Sequence, residues 1–134
     1  MVVADTGAVL ALLDRSDRHH ALVKARFRKA PDDWVLPWAV LPEVDYLMSK
    51  LISAKAARLF LADVARGEYQ VEWGRQADLI RANDLNRQYA DLALGLVDAI
   101  VMAVAERLHA QTIATFDRRH FGAVALVGPP ALWP

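Results

Sequence analysis

The chain has 134 residues, 55% of them hydrophobic, with 16 basic and 16 acidic side chains that leave a formal net charge of zero. That length and apolar content suit one domain with a sizeable core and exclude compositional disorder, and the balanced charge gives no bulk support for a polyanionic partner. With no cysteine, thiolate metal sites, disulfide frameworks and cysteine nucleophiles are excluded, which fits a reducing compartment.

Val2 to Ala4 is a short apolar run that opens into Asp5-Thr6-Gly7, the pattern of a buried strand followed by a helix start. Ala8 to Leu13 continues as an apolar helix, and Ser16-Asp17 offers a cap for a helix over about His19 to Arg28. Trp34-Val35-Leu36 reads as a second strand closed by Pro37. Pro42, whose missing N–H is harmless in a first helical turn, opens a helix running to about Leu51. Ser53 caps another through Ala65, with Leu59, Phe60, Ala62 and Val64 as its buried side and Gly67 as its end.

Tyr69 to Trp73 alternates as a third strand. Arg75 to Tyr89 is helical, with Ala77, Leu79, Ile80, Leu85 and Tyr89 as its apolar set. Asp91 to Gly95 is a loop, and Val97 to Leu108 is an almost wholly apolar helix. Thr112 to Thr115 forms a fourth strand that runs into Phe116-Asp117. A fifth strand is expected at Ala125-Leu126-Val127, before Gly128-Pro129-Pro130 closes the fold and leaves Trp133-Pro134 as a tail. Short apolar strands alternating with helices predict an α/β domain spanning residues 1–134, with a central parallel sheet of four to five strands covered by helices on both faces. No apolar run approaches the roughly 20 residues of a membrane helix. The opening residues lack the basic start and long apolar stretch of a secretory signal. A cytoplasmic protein without membrane contact is expected.

Asp5 and Asp117 fall at strand ends, Glu43 early in the helix after strand two, and Asp98 at the start of the central apolar helix. Parallel sheets bind ligands outside the carboxyl ends of their strands, so these four acids are candidates for one site. Each also has a local explanation: a helix cap for Asp5 and Asp98, the helix dipole for Glu43, an Asx-turn for Asp117. Clustered in a buried setting, they repel one another and lose hydration unless a divalent cation joins them. Oxygen donors suit Mg²⁺ or Mn²⁺ rather than zinc, and such an ion at a phosphodiester assists hydrolysis. Thr6 and Thr115 stand beside Asp5 and Asp117 and are candidates to orient them. Asp91 is a candidate accessory acid. Arg118, Arg119 and His120, with the basic run from Arg15 to Lys29, are candidates to rim the site and hold phosphates, although a charge run is equally a solvated face.

The motifs Val3-Ala4-Asp5-Thr6-Gly7-Ala8, Pro42-Glu43-Val44, Asp91 to Ala99 and Thr112 to Phe121 together resemble a PIN-domain protein, and more closely the VapC-type toxins of bacterial toxin–antitoxin pairs. The resemblance spans essentially the whole chain; its most specific part is the Thr115-Phe116-Asp117-Arg118-Arg119-His120-Phe121 string. It implies a Mg²⁺- or Mn²⁺-dependent endoribonuclease that inhibits translation, with Asp5, Glu43, Asp98 and Asp117 as its acids, Thr6 at the hydroxyl position and Asp91 as an additional acid. It also implies a homodimer, a VapB-like antitoxin partner, and a tRNA or ribosomal RNA substrate. Phe116 departs from the pattern, where a smaller or aliphatic residue is expected. Two alternatives remain open: a catalytically inactive PIN-like binding module, and a metal-independent ribonuclease using His19 or His20 with His120. A haloacid-dehalogenase-like phosphatase is excluded by Gly7, where its second aspartate belongs, and a receiver-like domain by the absence of any lysine after Lys55.

Overall fold

Short runs of small or β-branched apolar residues build the sheet, and each is three or four residues long. The computed structural model describes residues 1–134. In chain order it contains β1 (Val2–Ala4), α1 (Thr6–Leu13), α2 (His20–Lys29), a 3₁₀ turn (Pro31–Asp33), β2 (Trp34–Pro37), α3 (Val40–Leu51) and α4 (Ala54–Ala65). There follow β3 (Gln70–Glu72), α5 (Gln76–Gln88), a 3₁₀ turn (Ala90–Leu92), α6 (Gly95–Arg107), β4 (Thr112–Ala114), α7 (Arg118–Phe121) and β5 (Ala131–Trp133). One five-stranded sheet, all parallel, has the order β3-β2-β1-β4-β5. Helices flank it, as expected of an α/β fold.

β1 lies at the middle, pairing Val3 with Val35 of β2 on one side and with Ile113 of β4 on the other. The chain winds outward from β1 through β2 and β3, then crosses to β4 and β5. The order therefore reverses between β1 and β4, and a crevice opens outside their carboxyl ends. Helix α6 is buried without a break from Ala99 to Ala105. It packs on α5 and β1 and so holds its first turn beside that crevice.

Several expectations need correction. The fifth strand is Ala131–Trp133, and Ala125–Val127 is irregular, with Val127 exposed. Pro129 and Pro130 turn the chain back rather than ending it. Pairing with β4 carries the former tail into the sheet, where the Ala131 N–H donates to the Gln111 carbonyl and the Thr115 N–H to the Trp133 carbonyl. Helix α6 begins at Gly95, so Asp98 sits inside its first turn and caps nothing. Leu59 of α4 and Leu79 and Ile80 of α5 are exposed. Leu85 of α5 is buried as expected, but Asp78 and Ala82 complete its inner side in place of Leu79 and Ile80, because helical period rather than hydrophobicity alone selects the inner face. No helix is long and apolar enough to cross a membrane.

Candidate active site

At the end of β1 the backbone of Asp5 is extended (φ −85°, ψ 174°) and its N–H still donates to Ala114 of β4 at 3.0 Å. The side chain therefore projects from the sheet's carboxyl edge at the start of α1. Its Oδ1 caps that helix by accepting from the Ala8 N–H at 2.8 Å, and its Oδ2 accepts from the Thr115 hydroxyl. Thr115, fully buried just past β4, in turn accepts from the Asp117 N–H at 3.0 Å. One hydroxyl thus couples the acids after β1 and β4. The capping role expected of Asp5 occurs, but it engages only one oxygen.

Asp117 caps the short α7, its Oδ1 accepting from the His120 N–H at 3.0 Å. That turn swings the His120 ring inward, where Nδ1 lies 2.6 Å from Asp98 Oδ2 and 3.3 Å from Asp117 Oδ2. His120 is mostly buried, with 16% of its side chain exposed, and its Nδ1 is engaged by the two acids. One ligand atom from each of Asp98, Asp117 and His120 fits within a 4.8 Å span.

Asp5, Thr6, Glu43, Asp98 and Asp117 line one open cleft of about 550 Å³, together with Gly7, Leu10, Leu47 and Phe116. That volume falls within the roughly 300–1,000 Å³ of small-molecule sites. Glu43 comes from the first turn of α3. No arginine or lysine lines the cleft. Burial pushes the Asp5 carboxyl up to about 6, with the charges of Asp98 and Asp117 adding to the effect. Burial likewise raises Asp98, against the hydrogen bond from His120, with Asp117 and Glu43 adding to the rise. All four acids thus share one electrostatic environment. Thr6 is also buried, and its Oγ1 has no hydrogen-bond partner. A buried orphan hydroxyl beside hard oxygen donors fits a divalent cation or its water, because an unsatisfied buried polar atom is costly.

The remaining candidates are not brought into the cleft lining. Asp91 is exposed in the second 3₁₀ turn, Arg119 is exposed on α7, and the Arg118 guanidinium donates to the Pro134 carbonyl. The basic run divides: His19 stacks on Phe116, while Arg26 lies over the Trp133 ring at 4.4 Å. Leu10 and Leu47 were not anticipated. Their signal was available, since Leu10 lies four residues after Thr6 and Leu47 four after Glu43, on the same helical faces.

A profile of the PIN domain family matches residues 2–126. Ribonuclease VapC26 of Mycobacterium tuberculosis is 31% identical over 127 residues, which cover 95% of this chain and 94% of that protein. Two crystal structures share the fold. VapC20 of Mycobacterium tuberculosis, a toxin that cleaves the sarcin–ricin loop, gives a TM-score of 0.81 at 22% identity, with 96% of this chain and 98% of that one covered. FitAcB of Neisseria gonorrhoeae gives 0.66 at 18% identity, covering 100% of this chain and 97% of that one. The family profile spans every acid of the cleft, the relative extends over nearly the whole sequence, and this chain belongs to the PIN-domain family, in its VapC-type branch.

Proposed function

We propose that the chain is a metal-dependent endoribonuclease, the toxin of a type II toxin–antitoxin pair, and that it stops translation by cutting tRNA or ribosomal RNA in the cytoplasm. The observation that carries this reading is the convergence of Asp5, Glu43, Asp98 and Asp117 on one cleft with no arginine or lysine among its lining residues.

The donor set fits Mg²⁺ or Mn²⁺ held by Asp5, Asp98 and Asp117, with Glu43 facing them and Thr6 supporting. Such an ion supplies neutralisation of phosphate charge and acidification of water. The protein's part is to hold the acids in place. Ala8 and Thr115 fix both oxygens of Asp5, and His120 holds Asp98 and Asp117 together. Hydrolysis in line with the departing 3′ oxygen leaves a 5′-phosphate and a 3′-hydroxyl.

A VapB-like antitoxin and a second copy of the chain are the proposed partners. Tyr46 and Leu51 of α3 are exposed, and an apolar groove lies between α3 and α4 at Leu41, Pro42, Phe60, Leu61 and Val64. These support a protein-binding face there. The histidine-driven alternative gains no support, since none of His19, His20 and His120 is among the residues lining the cleft, and His20 Nδ1 pairs with the Ala11 carbonyl at 2.9 Å.

Chelation is the direct test. EDTA should abolish cleavage, and Mg²⁺ or Mn²⁺ should restore it with 5′-phosphate ends. Cleavage that survives chelation, or that leaves 2′,3′-cyclic phosphate, would point to the histidine mechanism.

A further inference from the structure

Phe116 is the one aromatic side chain lining the acidic cleft. The residue after it is Asp117, so the phenyl ring is fixed immediately beside the reacting centre. It is half-buried and packs against the core along its inner side. Against it lies the His19 ring, with centroids 4.1 Å apart and planes within 17° of parallel. His19 reaches this place from the turn between α1 and α2, which is tightly ordered. The Asp17 carboxylate accepts from the His19 N–H at 2.7 Å, and Asp14 accepts from both the N–H and the hydroxyl of Ser16. Arg18, exposed, donates from Nε to His19 Nε2 at 3.1 Å. A stack of two flat rings bearing a guanidinium thus stands at the edge of a cleft that is otherwise acidic and aliphatic.

We infer that His19 and Phe116 form a stacking platform for a nucleobase next to the scissile phosphate, with Arg18 steering the adjoining backbone. The inference rests on the ribonuclease reading and adds to it the means by which the cleft holds its substrate. Acids aligned for a cation repel a phosphodiester, and the lining side chains offer no hydrogen-bond donor apart from the Thr6 hydroxyl to read a base edge. Single-stranded nucleic acid is commonly held by base–aromatic stacking together with flanking positive charge, because every base has a π face. The stack supplies both elements. It favours an unpaired, splayed nucleotide over one inside a duplex, whose faces are already occupied.

The test starts from wild-type protein given total tRNA and ribosomal RNA with Mn²⁺, and the cut bond is mapped. A synthetic stem-loop carrying that bond then serves as probe, with versions made abasic on either side of it. His19→Ala and Phe116→Leu should each raise KM roughly tenfold, within the range known for loss of one stacked base, with a smaller change in kcat. His19→Phe, which keeps the ring and loses both nitrogens, should return KM to near the wild-type value. An abasic nucleotide on the stacking side should raise the wild-type KM by a similar factor, yet add little in Phe116→Leu. A KM unchanged in both variants, or an abasic penalty as large in Phe116→Leu as in wild type, overturns the platform while leaving the ribonuclease reading intact. Wild-type protein that cuts no RNA overturns both.

Discussion

Two clusters of charge sit in different parts of this fold, and they treat a buried carboxylate in opposite ways. Between α5 and α6, Asp78 is 2% exposed and takes Arg107 in bidentate fashion at 2.6 and 2.9 Å. Arg107 also reaches Glu72 at 2.9 Å, and Arg81 grips Glu106 at 2.7 and 3.0 Å. Burial opposes ionisation of Asp78, but Arg107 and the Arg75 N–H hold its carboxyl below the usual range. Asp5 is comparably buried at 6%, has no guanidinium, and is pushed up to about 6. The same chain therefore neutralises a buried acid with arginine where the aim is a fixed structure. In the cleft it leaves the charge unbalanced. An arginine there would occupy the space that a cation needs under the proposed metal-dependent function, and the imbalance is what that proposal requires.

The largest effects should come from breaking each cluster and finding opposite consequences. Asp98→Ala should cut RNA cleavage on the order of 10³-fold or more, the several kcal/mol expected when a metal's placement is lost. Its melting temperature should stay level or rise, since a carboxylate disfavoured by burial has been removed. Activity near wild type would take Asp98 out of the reacting site. In the other cluster, Asp78→Ala should cost about 3 kcal/mol of folding stability in urea unfolding, because it removes the bidentate partner of Arg107, leaving only Glu72, and opens a buried gap. Cleavage per folded molecule should hardly change. If Asp78→Ala were harmless to stability, the structural role assigned to the arginine network would fail.

How much of this was legible beforehand depends on how local the signal is. The strand runs, the Ser53 cap on Ala56 and the helix after it follow from residues within a few positions of each other. The fifth strand did not, because Ala125-Leu126-Val127 and Ala131-Leu132-Trp133 look alike as apolar triplets. Only the partner β4 decides between them, and the two prolines misled because they sit in the return turn. Four acids near element ends were readable for the same local reason. The bonds that organise them were not. Thr115 to Asp5 spans 110 positions and His120 to Asp98 spans 22, and both follow from the parallel pairing of β1 with β4 and the turn at α7. Phe116 was noticed as a departure from the family pattern. Its partner His19 lies almost a hundred residues earlier, in a run that composition alone could assign equally to solvent.

The finest test of the contrast is the pH dependence of stability in EDTA. Asp5 has a folded-state pKa of about 6 against an ordinary 3.8, so between those values the folded protein binds the proton more strongly than the unfolded chain does. Stability then falls as pH rises through that window; the penalty is absent below 3.8 and fully present above about 6. About two pKa units correspond to roughly 3 kcal/mol as an upper bound. Asp5→Asn removes the titration while keeping an oxygen for the Ala8 N–H, so its stability relative to wild type should rise by up to that amount from pH 4 to pH 7.5. Asp98 shifts in the same direction and is common to both proteins, so that only its coupling to Asp5 enters the difference. Adding Mn²⁺ at pH 7.5 should then stabilise wild type more than Asp5→Asn, since only wild type offers the charge the cation balances. A stability difference that stays flat across this range would mean that Asp5 is as well served by its surroundings as Asp78 is by Arg107, and the distinction between the two clusters would be lost.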